Sequence, residues 1–211
     1  LRILKAAHEG KRFTLQDAVT FQYPKRIQSL KGELQLLQKD LERRNQAMEV
    51  QPGFAITLQG KVYEKHKEAG EVLRGIIEGV TAFTRHEVGM YKGFQVFVQK
   101  DMMEPVLFLQ GEKEYSVELK SSDSGNMVRM ENRLNALDKA VEDVQKEIKT
   151  CENEIKNAKQ EYEKPFPYEE LLKENITRQM EIDAELEIKD QEECVEVQEE
   201  TKNLPCQTAV R

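Results

Sequence analysis

The sequence predicts an α+β fold: a long antiparallel coiled-coil helical hairpin carrying a small domain made of an antiparallel sheet plus one helix. Three observations predict it. Two stretches space their apolar residues for a helix–helix seam, and the roughly seventy residues between them switch to the period of strands. The composition, 34% charged with a mean hydropathy of −0.70, suits long solvated helices beside a modest core. At 211 residues, one domain or two small ones are expected.

Residues 1–50 hold an N-terminal helical segment and the first arm. The arm begins at Pro24, a residue suited to a first helical turn, where an amide would go unpaired anyway. Its stripe reads Ile27, Leu30, Leu34, Leu37, Leu41 and Met48, interrupted by Arg44, and Gln51-Pro52-Gly53 ends it. Lys25, Arg26, Lys31, Lys39, Arg43 and Arg44 stud this helix, interleaved with Glu33, Asp40, Glu42 and Glu49. Such mixing marks the solvated flank of a coiled coil. If the arm instead touches phosphate, Lys25, Arg26, Lys39, Arg43 and Arg44 are the candidate DNA contacts.

Residues 51–125 form the small domain. Phe54 to Leu58 alternate, Gln59-Gly60 makes a tight turn and Lys61-Val62-Tyr63 returns, which is a hairpin pattern. Ala69, Val72, Leu73, Ile76, Ile77, Val80 and Phe83 mark one face of an amphipathic helix. Three further runs follow: Glu87 to Val98 broken near Lys92-Gly93, Pro105 to Leu109, and Tyr115 to Leu119 after a Gly111–Glu114 turn. Met90 to Phe94 is read as a sheet turn with an aromatic core residue, in preference to a surface that stacks on bases or peptide. Met102-Met103 belongs to a loop or strand edge. Ser121 to Gly125 closes the domain and supplies helix-capping residues.

Residues 126–164 are the second arm. Met130, Leu134, Leu137, Val141, Val144, Ile148, Cys151, Ile155, Ala158 and Tyr162 alternate steps of four and three, the 3.5-residue period of a coiled-coil seam. Lys164-Pro165-Phe166-Pro167 stops the helix. Two seams flanking one compact segment are most simply paired within the chain, although an intermolecular coiled coil satisfies the same pattern. The second arm is the longer, so its far end needs another partner. Residues 165–190, with Leu171, Leu172, Ile176, Met180, Ala184 and Ile188, are expected to fold back as a return helix. Residues 191–211 are expected to be a flexible acidic tail.

The chemistry is notable for what it lacks. No Gly-rich loop ends in Gly-Lys-Ser/Thr, and no Gly-x-Gly-x-x-Gly or Gly-x-Ser-x-Gly occurs. His8, His66 and His86 are scattered, so no acid–base pair, cofactor site or metal site is nominated. Glu142, Asp143, Glu147 and Glu154 read as solvated helix face. Cys151, Cys194 and Cys206 are too widely spaced for a zinc or dithiol motif, and Cys151 falls on the seam, where a thiol serves as a small hydrophobe. A reduced, cytoplasmic setting is the default for such cysteines. No apolar run is long enough to span a bilayer. The chain opens on Leu1 rather than Met, as a fragment of something longer would, so its start says nothing of targeting.

The net charge of −7 is unevenly spread. Tyr168 to Glu200 holds thirteen acidic residues against three basic ones, a net of −10, whereas the first fifty residues net +4. Phosphate would be repelled from the C-terminal segment and attracted weakly to the first arm.

Three stretches carry a resemblance. They are Gly60-Lys61-Val62-Tyr63-Glu64-Lys65 with Lys67-Glu68-Ala69-Gly70-Glu71-Val72-Leu73; Gly125-Asn126-Met127-Val128-Arg129-Met130-Glu131-Asn132-Arg133-Leu134; and Glu161-Tyr162-Glu163-Lys164-Pro165-Phe166-Pro167. From about Lys25 to Ile188 the chain resembles the C-terminal region of large proteins of mobile elements and phages. These join a Swi/Snf-like helicase to, in many members, an adenine-specific DNA methyltransferase. The resemblance implies a parent that acts on DNA using ATP. It carries over no catalytic residue, because the family's ATPase and methylase motifs lie in regions not represented here. The expectation is therefore a non-catalytic accessory module that positions a small domain for DNA or protein contact. Its partners would be the rest of the parent chain and, weakly and without sequence preference, DNA. The alternative is a free-standing coiled-coil scaffold or oligomerisation protein with no nucleic-acid role.

Overall fold

The structure, a computed structural model, describes residues 1–100 and 105–202, with 187–202 described as backbone only. The chain divides into two compact units, one built from Leu1–Asp17 together with the chain from Ala158 onward, the other from Ala18–Asn157. No helix among the described residues is long and apolar enough to cross a membrane.

The larger unit is α+β. A π-helical turn, Ala18–Gln22, leads into α2 (Tyr23–Val50). Pro24 has no amide to return to the turn before it, and the backbone widens there. Six strands then form one antiparallel sheet in the order β2-β1-β3-β4-β5-β6. They are β1 (Ile56–Leu58), β2 (Lys61–Tyr63), β3 (Arg85–Tyr91), β4 (Phe94–Lys100), β5 (Pro105–Gln110) and β6 (Glu114–Glu118). Helix α3 (His66–Gly79) connects β2 to β3.

Two hairpin turns follow directly from sequence. Gln59 and Gly60 have φ of 48° and 80°, and Lys92 and Gly93 have 46° and 82°. Positive φ at both central residues matches the right-handed twist of the flanking strands. Strand β3 carries a bulge between Glu87 and Gly89, so Glu87 faces Phe97 while Gly89 faces Val96.

The inner face of the sheet buries Ile56, Leu58, Phe94, Val96, Leu107 and Leu109 at 0% exposure. Two helices contribute to this core rather than the one expected. Ala69 and Leu73 come from α3, and Met127, Met130 and Leu134 from α4 (Asp123–Asn135). Ser122 caps α4, its Oγ accepting from the Gly125 amide at 3.2 Å. The start of the second seam therefore covers the sheet instead of belonging to an arm. A further helix, α5 (Leu137–Tyr162), continues the stripe after a break at Ala136.

Along α2 and α5 the seam side chains meet. Leu30, Ile148 and Cys151 form one buried cluster, flanked by Ile27, Leu34 and Val144. Leu37 joins the main core together with Leu137 and Val141. Residues early in α2 thus meet residues late in α5, an antiparallel order. Cys151 is an unpaired, buried thiol, as its seam position implies.

In the smaller unit, α1 (Arg2–Asp17) runs beside the end of α5 and the start of α6 (Glu169–Lys202). Lys11 reaches Glu161 at 2.7 Å, His8 lies against Phe166, Lys5 reaches Glu169 at 3.1 Å and Arg2 bonds to Gln179 at 2.9 Å. Moving back along α1 meets steadily later residues, so α1 runs antiparallel to the stretch from the end of α5 into α6. The partner that the far end of α5 required is α1. Helix α6 also runs beyond residue 190, to Lys202; residues 203–211 of the expected tail, Cys206 among them, lie outside the described residues. So do Met102 and Met103, and the side chains of Ile188 and Cys194.

Candidate functional site

The second half of α2 meets the sheet through a buried polar site. Asp40, expected on a solvated flank, is 0% exposed. Its Oδ1 accepts the Glu112 amide at 2.7 Å, and its Oδ2 accepts the Lys113 amide at 2.9 Å and the Tyr115 hydroxyl at 2.8 Å. One carboxylate thus holds the whole β5–β6 turn. Burial and the bond to Asp40 push the Tyr115 phenol well above its ordinary range. The turn can come this close only because residue 111 is glycine: a Cβ there would lie 2.2 Å from Asp40 Oδ1. Outside this clasp, Arg43 pairs with Glu112 at 3.0 Å, and Lys113 pairs with Glu33.

One turn later, Arg44 makes a second attachment. Its Nη1 donates to the Leu134 carbonyl at 3.0 Å and to Asp138 Oδ2 at 2.8 Å, and its Nη2 donates to Asp138 Oδ1 at 3.1 Å. The residue that interrupts the first stripe therefore fills the break in the second. Taking the Leu134 carbonyl out of the helical ladder goes with the split at Ala136, whose amide is shared between Asn132 and Leu134. The hydrogen bond from Arg44 holds the Asp138 carboxyl below its usual range.

These placements decide what the candidate DNA contacts are available to do. Lys25 is exposed on the first turn of α2. Arg26 is exposed but bonded to Glu147 at 2.5 Å, which raises its pKa further. Lys39 lies 4.0 Å from Glu112. Arg43 is held by Asp40 and Glu112, and its guanidinium stands over the Phe94 ring. Arg44 is 6% exposed and committed at both edges, which corrects its place among surface contacts. By helical spacing Lys25, Lys39 and Arg43 share one face of α2, and Arg26 and Arg44 lie about 100° round from it.

Beside the clasp, the end of α2 and the sheet enclose an open groove of about 500 Å³. Arg43, Gln46 and Val50 line it from α2, and Thr57, Met90 and Lys92 from the sheet and its β3–β4 turn. Met90 is 49% and Val50 87% exposed, so the groove offers apolar contact with amides at its rim. Tyr91 and Phe94, by contrast, are core residues flanking a sheet turn, as read from sequence.

A third polar cluster was not visible in sequence. His66 Nε2 lies 3.1 Å from Glu131 Oε2, Lys92 Nζ lies 3.7 Å from Oε1, and Phe54 stacks on the imidazole at 3.9 Å between centroids. Burial, then the charge on Glu131, pushes the neighbouring Tyr91 phenol up. The members come from three separate elements, and no spacing links them. The arrangement ties α3 and the β3–β4 turn to α4. Among the described residues no group of three or more His, Cys, Asp and Glu side chains is placed to hold a metal ion.

Set against protein-family models, curated proteins and solved structures, the chain matches none of them.

Proposed function

We propose that this chain is a non-catalytic positioning module, in which α2 and α5 act as an antiparallel coiled-coil arm holding a small α+β head at a fixed angle. The setting suggested by the sequence resemblance is a helicase–methyltransferase that processes DNA, with the head offered to a protein surface rather than to DNA. The Asp40 clasp carries this reading. A buried carboxylate that takes two backbone amides and a phenol from one turn fixes direction as well as distance, which an apolar seam alone does not. The use of Arg26, Arg43 and Arg44 in internal pairs supports protein over DNA as the target.

The test combines three measurements on the purified chain. Sedimentation should give a monomer. Fluorescence anisotropy with a labelled duplex should show at most weak binding that salt abolishes, since exposed lysines alone release few counterions. Co-expression with the polypeptide encoded immediately upstream should give a stable complex. Concentration-dependent self-association without such a complex favours the free-standing scaffold instead. Tight duplex binding that survives physiological salt defeats the choice of protein over DNA.

A further inference from the structure

The helices α3 and α4 pack on the inner face of the sheet; its outer face carries an aromatic pair. Phe97 on β4 and Phe108 on β5 are direct cross-strand partners, both half-buried. Their rings are roofed by a single side chain from β3. The Arg85 guanidinium stands 4.5 Å from the Phe97 centroid and 4.6 Å from that of Phe108. It continues across the sheet to pair with Glu114 on β6 at 2.5 Å. A cation is attracted to the face of a ring by the ring's quadrupole, and a guanidinium also stacks flat on it.

Among the described residues, three carboxylates and two cations surround this platform. Glu87 on β3 is the cross-strand neighbour of Phe97, and Glu114 and Glu118 on β6 face Gln110 and Val106 on the far side. All three are exposed. Against them stand Arg85 itself and Lys120, which lies 3.6 Å from Glu118. Paired aromatics on the open face of a sheet are the usual means of stacking nucleic-acid bases. Here the three carboxylates would repel the phosphates that such binding brings with it.

We propose that the outer face is a docking site for a basic, arginine-bearing segment of a partner protein, and that Arg85 is an internal stand-in for the partner's arginine. The inference rests on the protein-contact reading above and names the chemistry of that contact. A partner guanidinium takes the seat over Phe97 and Phe108, with Glu114 released to pair with it and Glu87 bracketing the other side. Arg85 swings away to solvent, a small conformational change because the residue is already about one-third exposed. Occupation by Arg85 keeps the aromatic pair covered until a partner arrives, which also shields an otherwise open apolar patch.

The experiment titrates the full chain with capped peptides carrying two arginines, two lysines or two glutamates between glycines, and with a single-stranded oligonucleotide. Arg85→Ala removes the internal competitor and should tighten the arginine peptide about fivefold or more, the worth of one to two cation–π contacts. Phe97→Leu and Phe108→Leu keep bulk and charge but remove the rings, and each should weaken it by a similar factor. Circular dichroism on each variant confirms that the sheet is intact. No tightening in Arg85→Ala, equal binding of the glutamate peptide, or preference for the oligonucleotide overturns the proposal. If the arginine peptide fails while the upstream polypeptide still binds, this inference falls alone. If both fail, the positioning reading falls with it.

Discussion

The two halves of α2 meet the rest of their unit in opposite ways. From Tyr23 to Leu34 the helix is joined by apolar contacts, with Leu30 against Ile148 and Cys151, and its long-range ion pairs there, Arg26 with Glu147 and Glu33 with Lys113, lie toward the surface. From Leu37 to Arg44 the charges turn inward, Asp40 being 0% and Arg44 6% exposed. The first half needs only to stay paired, and a seam tolerates some sliding and rotation. In the second half, a buried charge with directional donors penalises every register but one. Charge sits inside the protein where direction has to be fixed and outside where it does not.

The comparison breaks most visibly at Asp40. Asp40→Ala strands two amides and a phenol at once and should cost about 3–5 kcal/mol in urea unfolding, given about 1–3 kcal/mol per buried group left unpaired. Asp40→Asn keeps the shape and one acceptor, so it should cost clearly less. Equal losses would mean that the site is felt as packing volume and not as a clasp. Arg44→Met should come next, at about 1–3 kcal/mol. It keeps the apolar stem, loses the bonds, and frees the exposed Asp138 to rehydrate. Amide exchange near Ala136 should slow if the Leu134 carbonyl returns to the helical ladder.

The two attachments also differ in how they respond to pH. Tyr115 has its folded pKa raised, so the clasp's contribution is complete below about pH 10, the ordinary tyrosine value, and is lost as pH rises beyond it. Asp138 has its folded pKa lowered, so its pairing with Arg44 is complete above about pH 4 and is lost as pH falls. Stability measured against pH should lose part of its alkaline slope in Tyr115→Phe, the rest belonging to the buried Tyr91, and the substitution itself costs about 1 kcal/mol at neutral pH. Asp138→Asn should flatten only the acid side. Slopes that stay unchanged in both variants would assign the titration to other groups. The smallest effect is expected in the first half: Arg26→Gln should leave the melting temperature unchanged within error, as exposed pairs generally do.

Much of the framework was legible in advance, and the reasons are local. Gln59-Gly60 and Lys92-Gly93 announce turns because left-handed φ is scarce among residue types, and Ser122 announces a helix because caps need a short acceptor. The Leu30, Ile148 and Cys151 contacts follow from a stripe each helix displays by itself. Asp40 and Arg44 could not be read this way. A charge in a helical stripe looks solvated until its partner is known, and theirs lie 72 and 94 residues further on. Met130 and Leu134 misled for a related reason: a heptad stripe says that a face is covered but not whether a helix or a sheet covers it. Arg85 could not be singled out from sequence, since nothing near it shows that it crosses two strands to lie over Phe97 and Phe108.

The bulge in β3 works as a phase-setter. Strict alternation from Tyr91 backwards would turn Gly89, Glu87 and Arg85 toward the core. The extra residue at Val88 shifts the count by one, so that Val88 is buried while Arg85 and Glu87 face outward with Met90. The bulge thus absorbs one spare residue of chain length and keeps the first half of the strand facing outward. Removing Val88 would take out that spare residue and leave Glu87 opposite Phe97 and facing outward, so a deletion there should be better tolerated than one within β4, which has no spare residue and whose side chains would change face.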